Sequence, residues 1–282
     1  MTAERTYRFR DGKELRLGAR TLVMGILNVT PDSFSDGGRW NRRDDALRHV
    51  EEMVRDGADI IDIGAESSRP GFVPMSAAEE IERLLPFLEA VLPECPVPVS
   101  VDTFKAETAR AALAAGAHLL NDIWGLQYPE EPGAMAQGAA EADAPVVVMH
   151  NQNGTAYDGD VIAAMRGFFL RSFEIADAAG LARENIILDP GIGFGKTAEQ
   201  NMHVMRRMDE LISYAGTDYP LLLGASRKSF IGAALDLPVE ERMEATGAAC
   251  VLGITRGASI VRVHDVKPIA RMCRMTDAIL GA

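Results

Sequence analysis

Cysteine is scarce in this chain of 282 residues: Cys95, Cys250 and Cys273 are scattered, odd in number and without metal-ligand spacing. That excludes a disulfide framework and a cysteine zinc site, and it fits reduced thiols in a cytoplasmic protein. Long apolar runs are absent too; none approaches the roughly eighteen residues of a membrane span. The opening stretch MTAERTYRFRDGKELRLGAR is charged where a secretory signal would be apolar. Positive charge is in deficit, with 29 Lys and Arg against 41 Asp and Glu and a formal net charge of -12. Nucleic acid is therefore not an expected partner, because binding a phosphate backbone relies on clustered Lys and Arg. A local basic pocket for a small anion is still compatible with an acidic surface. Linkers and low-complexity tracts are missing as well. Residues 1–282 read as a single domain, with 47% hydrophobic residues to fill its core.

What the chain does have is alternation. Short apolar runs occur at 21–27, 58–64, 97–101, 118–120, 145–149, 185–188, 220–224 and 259–263. Helical patterns lie between them. Ile81, Leu84, Leu85, Leu88, Val91 and Leu92 fall on one helical face, and 106–115 and 161–179 are also helix-prone. Strands that read as continuous apolar runs, separated by helices, predict a parallel sheet covered on both faces. Eight of them in a chain of this length predict an α/β fold, an eight-stranded (β/α)8 TIM barrel. The leftover segment Tyr7 to Leu17, with an Asp11-Gly12 turn, predicts an N-terminal β-hairpin placed to plug the barrel bottom.

Polar groups follow every apolar run. They are Asn28, Glu66 to Arg69, Asp102, Asn121-Asp122, His150, Asp189, Ser226 to Lys228, and Arg262 with His264. In a (β/α) barrel these positions share the rim on which active sites are built. Any one of them could be a helix cap or a turn residue; eight in succession predict that the rim is the site. Asp102, Asn121 and Asp189 suit a flat heterocycle rich in N–H donors, because a carboxylate can accept from a ring N–H and an adjacent amino group together. Arg69, Lys228, Arg262 and His264 suit an anion such as a pyrophosphate. Arg262 and His264 fall on one side of an extended segment. One stretch, GILNVTPDSFSDGG at 25–38, starts as a strand and continues as a polar loop around a single Phe. A loop of that length in a compact domain is usually functional or disordered.

Taken together, Asn28 to Gly38, Ser67-Ser-Arg-Pro-Gly71, Asp102-Thr-Phe-Lys105, Asn121-Asp-Ile123, Met149-His150, Asp189-Pro-Gly-Ile-Gly-Phe-Gly-Lys196, Ser226-Arg-Lys-Ser229 and Arg262-Val-His-Asp265 resemble the dihydropteroate synthases. The match runs in order from about residue 20 to the end. The resemblance implies an enzyme of folate biosynthesis that joins 6-hydroxymethyl-7,8-dihydropterin pyrophosphate to p-aminobenzoate and releases pyrophosphate. It implies that Asp102, Asn121, Asp189 and Lys228 bind the pterin between Ile123 and Met149. Asn28, Arg262 and His264 are implied for the diphosphate, with Asn28 also a ligand of Mg2+. Phe34, Pro70, Phe194 and Ser229 are implied around p-aminobenzoate, with Ser68 bordering that pocket and Arg69 among the substrate-binding residues, and the 28–38 loop as a lid. A homodimer through the last helices is the family expectation. The sequence departs from the family pattern at Ala65-Glu66-Ser67-Ser68, where Ser68 replaces a Thr, and in the longer 151–155 loop.

The chemistry expected is an SN1-like displacement. A weak arylamine nucleophile gains less from activation than the reaction gains from stabilising a pterin cation and its departing anion. Asp102, Asp189, Lys228 and Arg262 are the expected catalytic residues. Alternatives are a methyltetrahydrofolate-binding methyltransferase barrel, a non-catalytic pterin-binding module, and an aldolase forming a Schiff base on Lys228.

Overall fold

A computed structural model describes residues 4–29, 39–66 and 75–281. Its elements run β1 (Arg5–Arg8), β2 (Glu14–Leu17), β3 (Leu22–Asn28), α1 (Arg39–Asp56), β4 (Ile60–Gly64), α2 (Ala77–Glu94), β5 (Val99–Asp102), α3 (Ala106–Ala115), β6 (Leu119–Asp122) and α4 (Ala134–Ala142). They continue with β7 (Val146–Met149), α5 (Val161–Ala179), β8 (Ile186–Asp189), α6 (Ala198–Arg206), β9 (Ser213–Tyr214), β10 (Thr217–Asp218), β11 (Leu222–Leu223), α7 (Ser229–Leu235), α8 (Met243–Thr255), β12 (Ile260–Val263) and α9 (Val266–Leu280). Each predicted apolar run overlaps one strand of a parallel sheet ordered β11-β12-β3-β4-β5-β6-β7-β8, with β3, β5, β6 and β8 running one or two residues further into the polar rim. A parallel bridge between Leu188 and Leu221 links the last strand to the first, so the eight strands meet in a barrel. Helices cover the outer face, where the apolar side chains form the two largest core clusters.

Helix boundaries follow local chemistry. The pattern read from Ile81 begins earlier, at Ala77, because Ser76 and Glu79 form a capping box. Helix α5 spans the predicted 161–179, with Asp160 accepting from Ile162 N at its start and Gly180 ending it in the left-handed region. The two-residue ladder of β9 and β10 was not predicted; it turns at Ala215 and Gly216, both at positive φ.

The N-terminal hairpin pairs Arg5 with Leu17 and Arg8 with Glu14, and Gly12 turns it at a φ of 88°. Its buried Tyr7, Leu15 and Leu17 pack on Met24, Ile60, Leu119, Val147, Ile187, Leu222 and Ile260, near the N-terminal ends of the barrel strands. Tyr7 Oη donates to Glu184 O at 2.8 Å, and Arg5 donates to Glu184 O, Ile186 O and Asp218 O. The hairpin plugs the bottom of the barrel, as its sequence predicted.

Candidate active site

Side chains alternate along a strand, so the residue two positions beyond each bottom-layer residue also faces the barrel interior. These residues are Ile26, Asp62, Asn121, Met149, Asp189, Gly224 and Arg262, one layer higher. Asp102, Asn121, Ile123, Met149, Asp189, Ile192, Phe194, Gly224, Lys228 and Arg262 line one pocket at the mouth. Two acids and two cations, from β5, β8, the loop after β11 and β12, therefore face a common space.

The charges in that space are closely wired. Arg262 donates from Nε to Asp62 Oδ2 at 2.6 Å and from Nη2 to Asp102 Oδ2 at 2.7 Å. The same Asp62 oxygen accepts from Asn121 Nδ2 at 3.0 Å. Asp62 is fully buried, and its second oxygen, Oδ1, has no hydrogen-bond partner among the described residues. Asp189 Oδ1 accepts from Gly191 N at 2.7 Å, while Oδ2 accepts nothing from the described residues and is available to a ligand. Gly191 is required there: its φ is 63°, and a Cβ would lie 2.0 Å from the His150 carbonyl oxygen. Lys228 Nζ lies 4.1 Å from the centre of the Phe194 ring.

Burial sets the protonation balance. It raises the Asp189 carboxyl to about 6, against the opposing Gly191 hydrogen bond and the Lys228 charge. It raises Asp102 as well, outweighing the attraction of Arg262. It lowers the Lys228 ammonium to about 8. His264 is lowered to about 4, by burial first and then by the Arg262 and Arg227 charges. The pocket thus pairs carboxylates that resist ionisation with a lysine that resists protonation, an arrangement that favours a ligand supplying both N–H donors and acceptors.

The model of the pterin binding enzyme family matches residues 24–264. A dihydropteroate synthase of Bacillus subtilis is 52% identical over 262 residues, covering 93% of this chain and 90% of that protein. This chain belongs to the dihydropteroate synthase family. A crystal structure of the dihydropteroate synthase of Clostridium difficile in the presence of pteroic acid superposes with a TM-score of 0.88 at 49% identity, covering 93% of this chain and 98% of that one. The Xanthomonas albilineans dihydropteroate synthase with 4-aminobenzoic acid superposes with a TM-score of 0.89 at 37% identity, covering 99% and 100%. The chain is thus a transferase of folate biosynthesis, and the methyltransferase, aldolase and non-catalytic alternatives lose their support.

Of the residues implied by likeness to the synthase family, Asp102, Asn121, Ile123, Met149, Asp189, Phe194, Lys228 and Arg262 come together in the pocket. Asn28 ends β3 with its side chain exposed, and Ser229 is exposed at the first position of α7. Arg262 and His264 part company. His264 Nδ1 lies 3.0 Å from Ser226 Oγ, whereas the Arg262 guanidinium turns inward to the acids, because a buried cation requires carboxylate partners. Phe34, Ser68, Arg69 and Pro70, with most of the expected lid, lie outside the described residues. Some strand-end groups are structural. Asp122 accepts from Trp124 N and Leu126 N to close a turn. Glu66 accepts from Met75 N and pairs with Lys105, which also reaches Glu80 at 3.0 Å. Sequence reasoning missed Asp62. Its signal was a carboxylate inside the apolar strand Ile60–Gly64, two residues after Ile60 and so on the same side of the strand.

Proposed function

We propose that the protein joins 6-hydroxymethyl-7,8-dihydropterin pyrophosphate to p-aminobenzoate by an SN1-like displacement, with Asp102, Asn121, Asp189, Lys228 and Arg262 as its working residues. The observation that carries this reading is their convergence on one pocket in a member of the synthase family. The free Oδ2 of Asp189 accepts from the pterin ring N–H and its amino group, and Asn121 and Lys228 supply donors to the ring's acceptors. Ile123 and Met149 wall the ring, and Phe194, in the same pocket, borders the arylamine. Carboxylates on both sides of the ring favour positive charge developing on the pterin as the C–O bond to diphosphate breaks. Arg262, with only Nε and Nη2 engaged by the acids, keeps Nη1 for the departing anion. His264 and Asn28 lie at the rim for the same anion. Phe34, Ser68, Arg69, Pro70 and Ser229 serve the arylamine.

The donor set also fits Mg2+ carried in with the substrate. Among the described residues no three His, Cys, Asp or Glu side chains gather into a metal cage. Asn28 offers one exposed hard oxygen. Magnesium usually keeps several waters and is held by one or two protein oxygens together with substrate phosphates. Bound there, it would supply charge neutralisation for the leaving diphosphate.

A homodimer is the proposed assembly. Met275 and Ile279, 61% and 72% exposed, stand one turn apart on α9, and Leu252 of α8 and Leu280 are exposed apolar side chains as well. The three cysteines are buried and unpaired, and no described helix is long and apolar enough to cross a membrane. Both features support a cytoplasmic location. Light scattering at micromolar concentration should give twice the chain mass. For the activity, purified protein mixed with the dihydropterin pyrophosphate, p-aminobenzoate and Mg2+ should release pyrophosphate together with dihydropteroate; no release would overturn the reading.

A further inference from the structure

Two buried titratable side chains beside the pocket have no part in the chemistry above. Lys196, 7% exposed, ends the Asp189-Pro-Gly-Ile-Gly-Phe-Gly-Lys196 turn, and His150, 2% exposed, follows β7. Lys196 Nζ lies 2.9 Å from His150 Nδ1, 3.0 Å from Gly191 O and 3.1 Å from Phe194 O. A buried lysine normally pairs with a carboxylate. No described Asp or Glu lies within ion-pair distance of this one. Instead, three acceptors meet the three N–H groups of one ammonium. Two of those acceptors are carbonyls of the turn itself, and the third is on the neighbouring strand end.

We propose that Lys196 is a positioning residue for the reaction: held by His150, it latches the glycine-rich turn so that Phe194 stays against Lys228 and the pterin pocket keeps its shape. The turn needs such a latch. Gly191, Gly193 and Gly195 all have positive φ, so its backbone has little conformational preference of its own. On its near side Gly191 N donates to Asp189 Oδ1 at 2.7 Å and Phe194 N donates to Gly191 O at 3.1 Å, and further contacts hold its far side. Tyr157 Oη donates to Gly195 O at 2.8 Å, and Gly193 N donates to Asn201 Oδ1 at 2.8 Å. To the one backbone bond between Phe194 and Gly191, Lys196 adds a side-chain tie from Gly191, two residues after the ligand-binding Asp189, to Phe194, which faces Lys228, and anchors both to His150. The ring nitrogen must act as an acceptor toward an ammonium, which places the His150 proton on Nε2. Burial, followed by the Lys196 charge, keeps this ring neutral by lowering it to about 2.

The inference rests on the pterin reading of the pocket, so its main test is binding and not turnover. The probe is pteroic acid, titrated calorimetrically into the wild type and into Lys196→Met, His150→Ala and His150→Asn, with thermal unfolding of each. Asn places an acceptor oxygen close to the position of Nδ1. Lys196→Met and His150→Ala should weaken binding at least tenfold, and His150→Asn by less than threefold; KM for p-aminobenzoate should follow the same order. Unchanged affinity in Lys196→Met, or His150→Asn as poor as His150→Ala, would overturn the latch. If Lys196→Met does not fold, the two His150 variants decide. Should the wild type itself fail to bind pteroic acid, the pterin reading falls, and the latch is then judged on the 15N shifts of His150. An Nδ1 signal of acceptor type that moves in Lys196→Met supports it, and one that does not move overturns it.

Discussion

The two interior layers of the barrel differ by a step of two residues along the same strands. The lower layer reads Met24, Ile60, Leu119, Val147, Ile187, Leu222 and Ile260. The upper layer reads Ile26, Asp62, Asn121, Met149, Asp189, Gly224 and Arg262. The lower set is sealed under a hairpin and contributes apolar burial. The upper set concentrates charge where water is scarce, and burial has raised Asp189 and lowered Lys228 in consequence. Stability and binding are thus assigned to adjacent rungs of one ladder.

Moving polarity down one rung gives the largest expected effect. Leu119→Asn would leave a void and an unpaired amide in a fully buried site, at a cost of about 4 kcal/mol. Urea unfolding should show that loss, while the folded fraction keeps the wild-type KM for the pterin substrate.

Removing the central cation of the upper layer comes next. Arg262→Ala leaves Asp62 and Asp102 without a counter-charge and should destabilise by about 3 kcal/mol. Turnover should fall with it; an unchanged kcat with only a raised KM would count against its part in leaving-group departure. Adding Asp62→Asn to Arg262→Ala should return part of the stability without the activity.

Asp189→Asn separates the two roles. Pterin affinity should weaken by about 2 kcal/mol, the scale of a buried charged hydrogen bond, as read by calorimetry. Stability should move the other way, by a smaller amount. Asp189 is raised to about 6 in the folded protein from an ordinary value of 3.8, so the folded state holds the proton more tightly. Its contribution to stability is full below about pH 4 and declines as pH rises through about 6. Asp189→Asn should therefore raise the melting temperature at pH 7.5 and leave it nearly unchanged at pH 4.5. A lower melting temperature at both pH values would contradict the assignment of stability and binding to separate rungs.

The strands and the hairpin were legible because apolar runs and an Asp-Gly turn are local signals. Asp102, Asn121 and Asp189 were legible as well, because they end their strands. Asp62 was not, because ADIIDIG carries two Asp and nothing local marks the second as facing the site; only the barrel's closure brings it opposite Arg262, two hundred residues away by sequence. The direction of Arg262 was also beyond local pattern. Alternation put it on the same side as His264, but the pull of two carboxylates from other strands turned it inward. Strand-end position likewise did not separate Asp122 and Glu66, which close turns and loops, from the groups that face the pocket.

Because β1 and β2 cork the floor of the barrel, the described pocket opens toward the C-terminal ends of the strands. Anything appended ahead of Arg5 emerges on the face away from that opening, so a surface that captures the protein by this end would leave the opening facing the bulk solution. For a reaction run in this pocket, both partners and both products share that threshold, which makes the sequence of arrivals and departures a property of the architecture as well as of affinity.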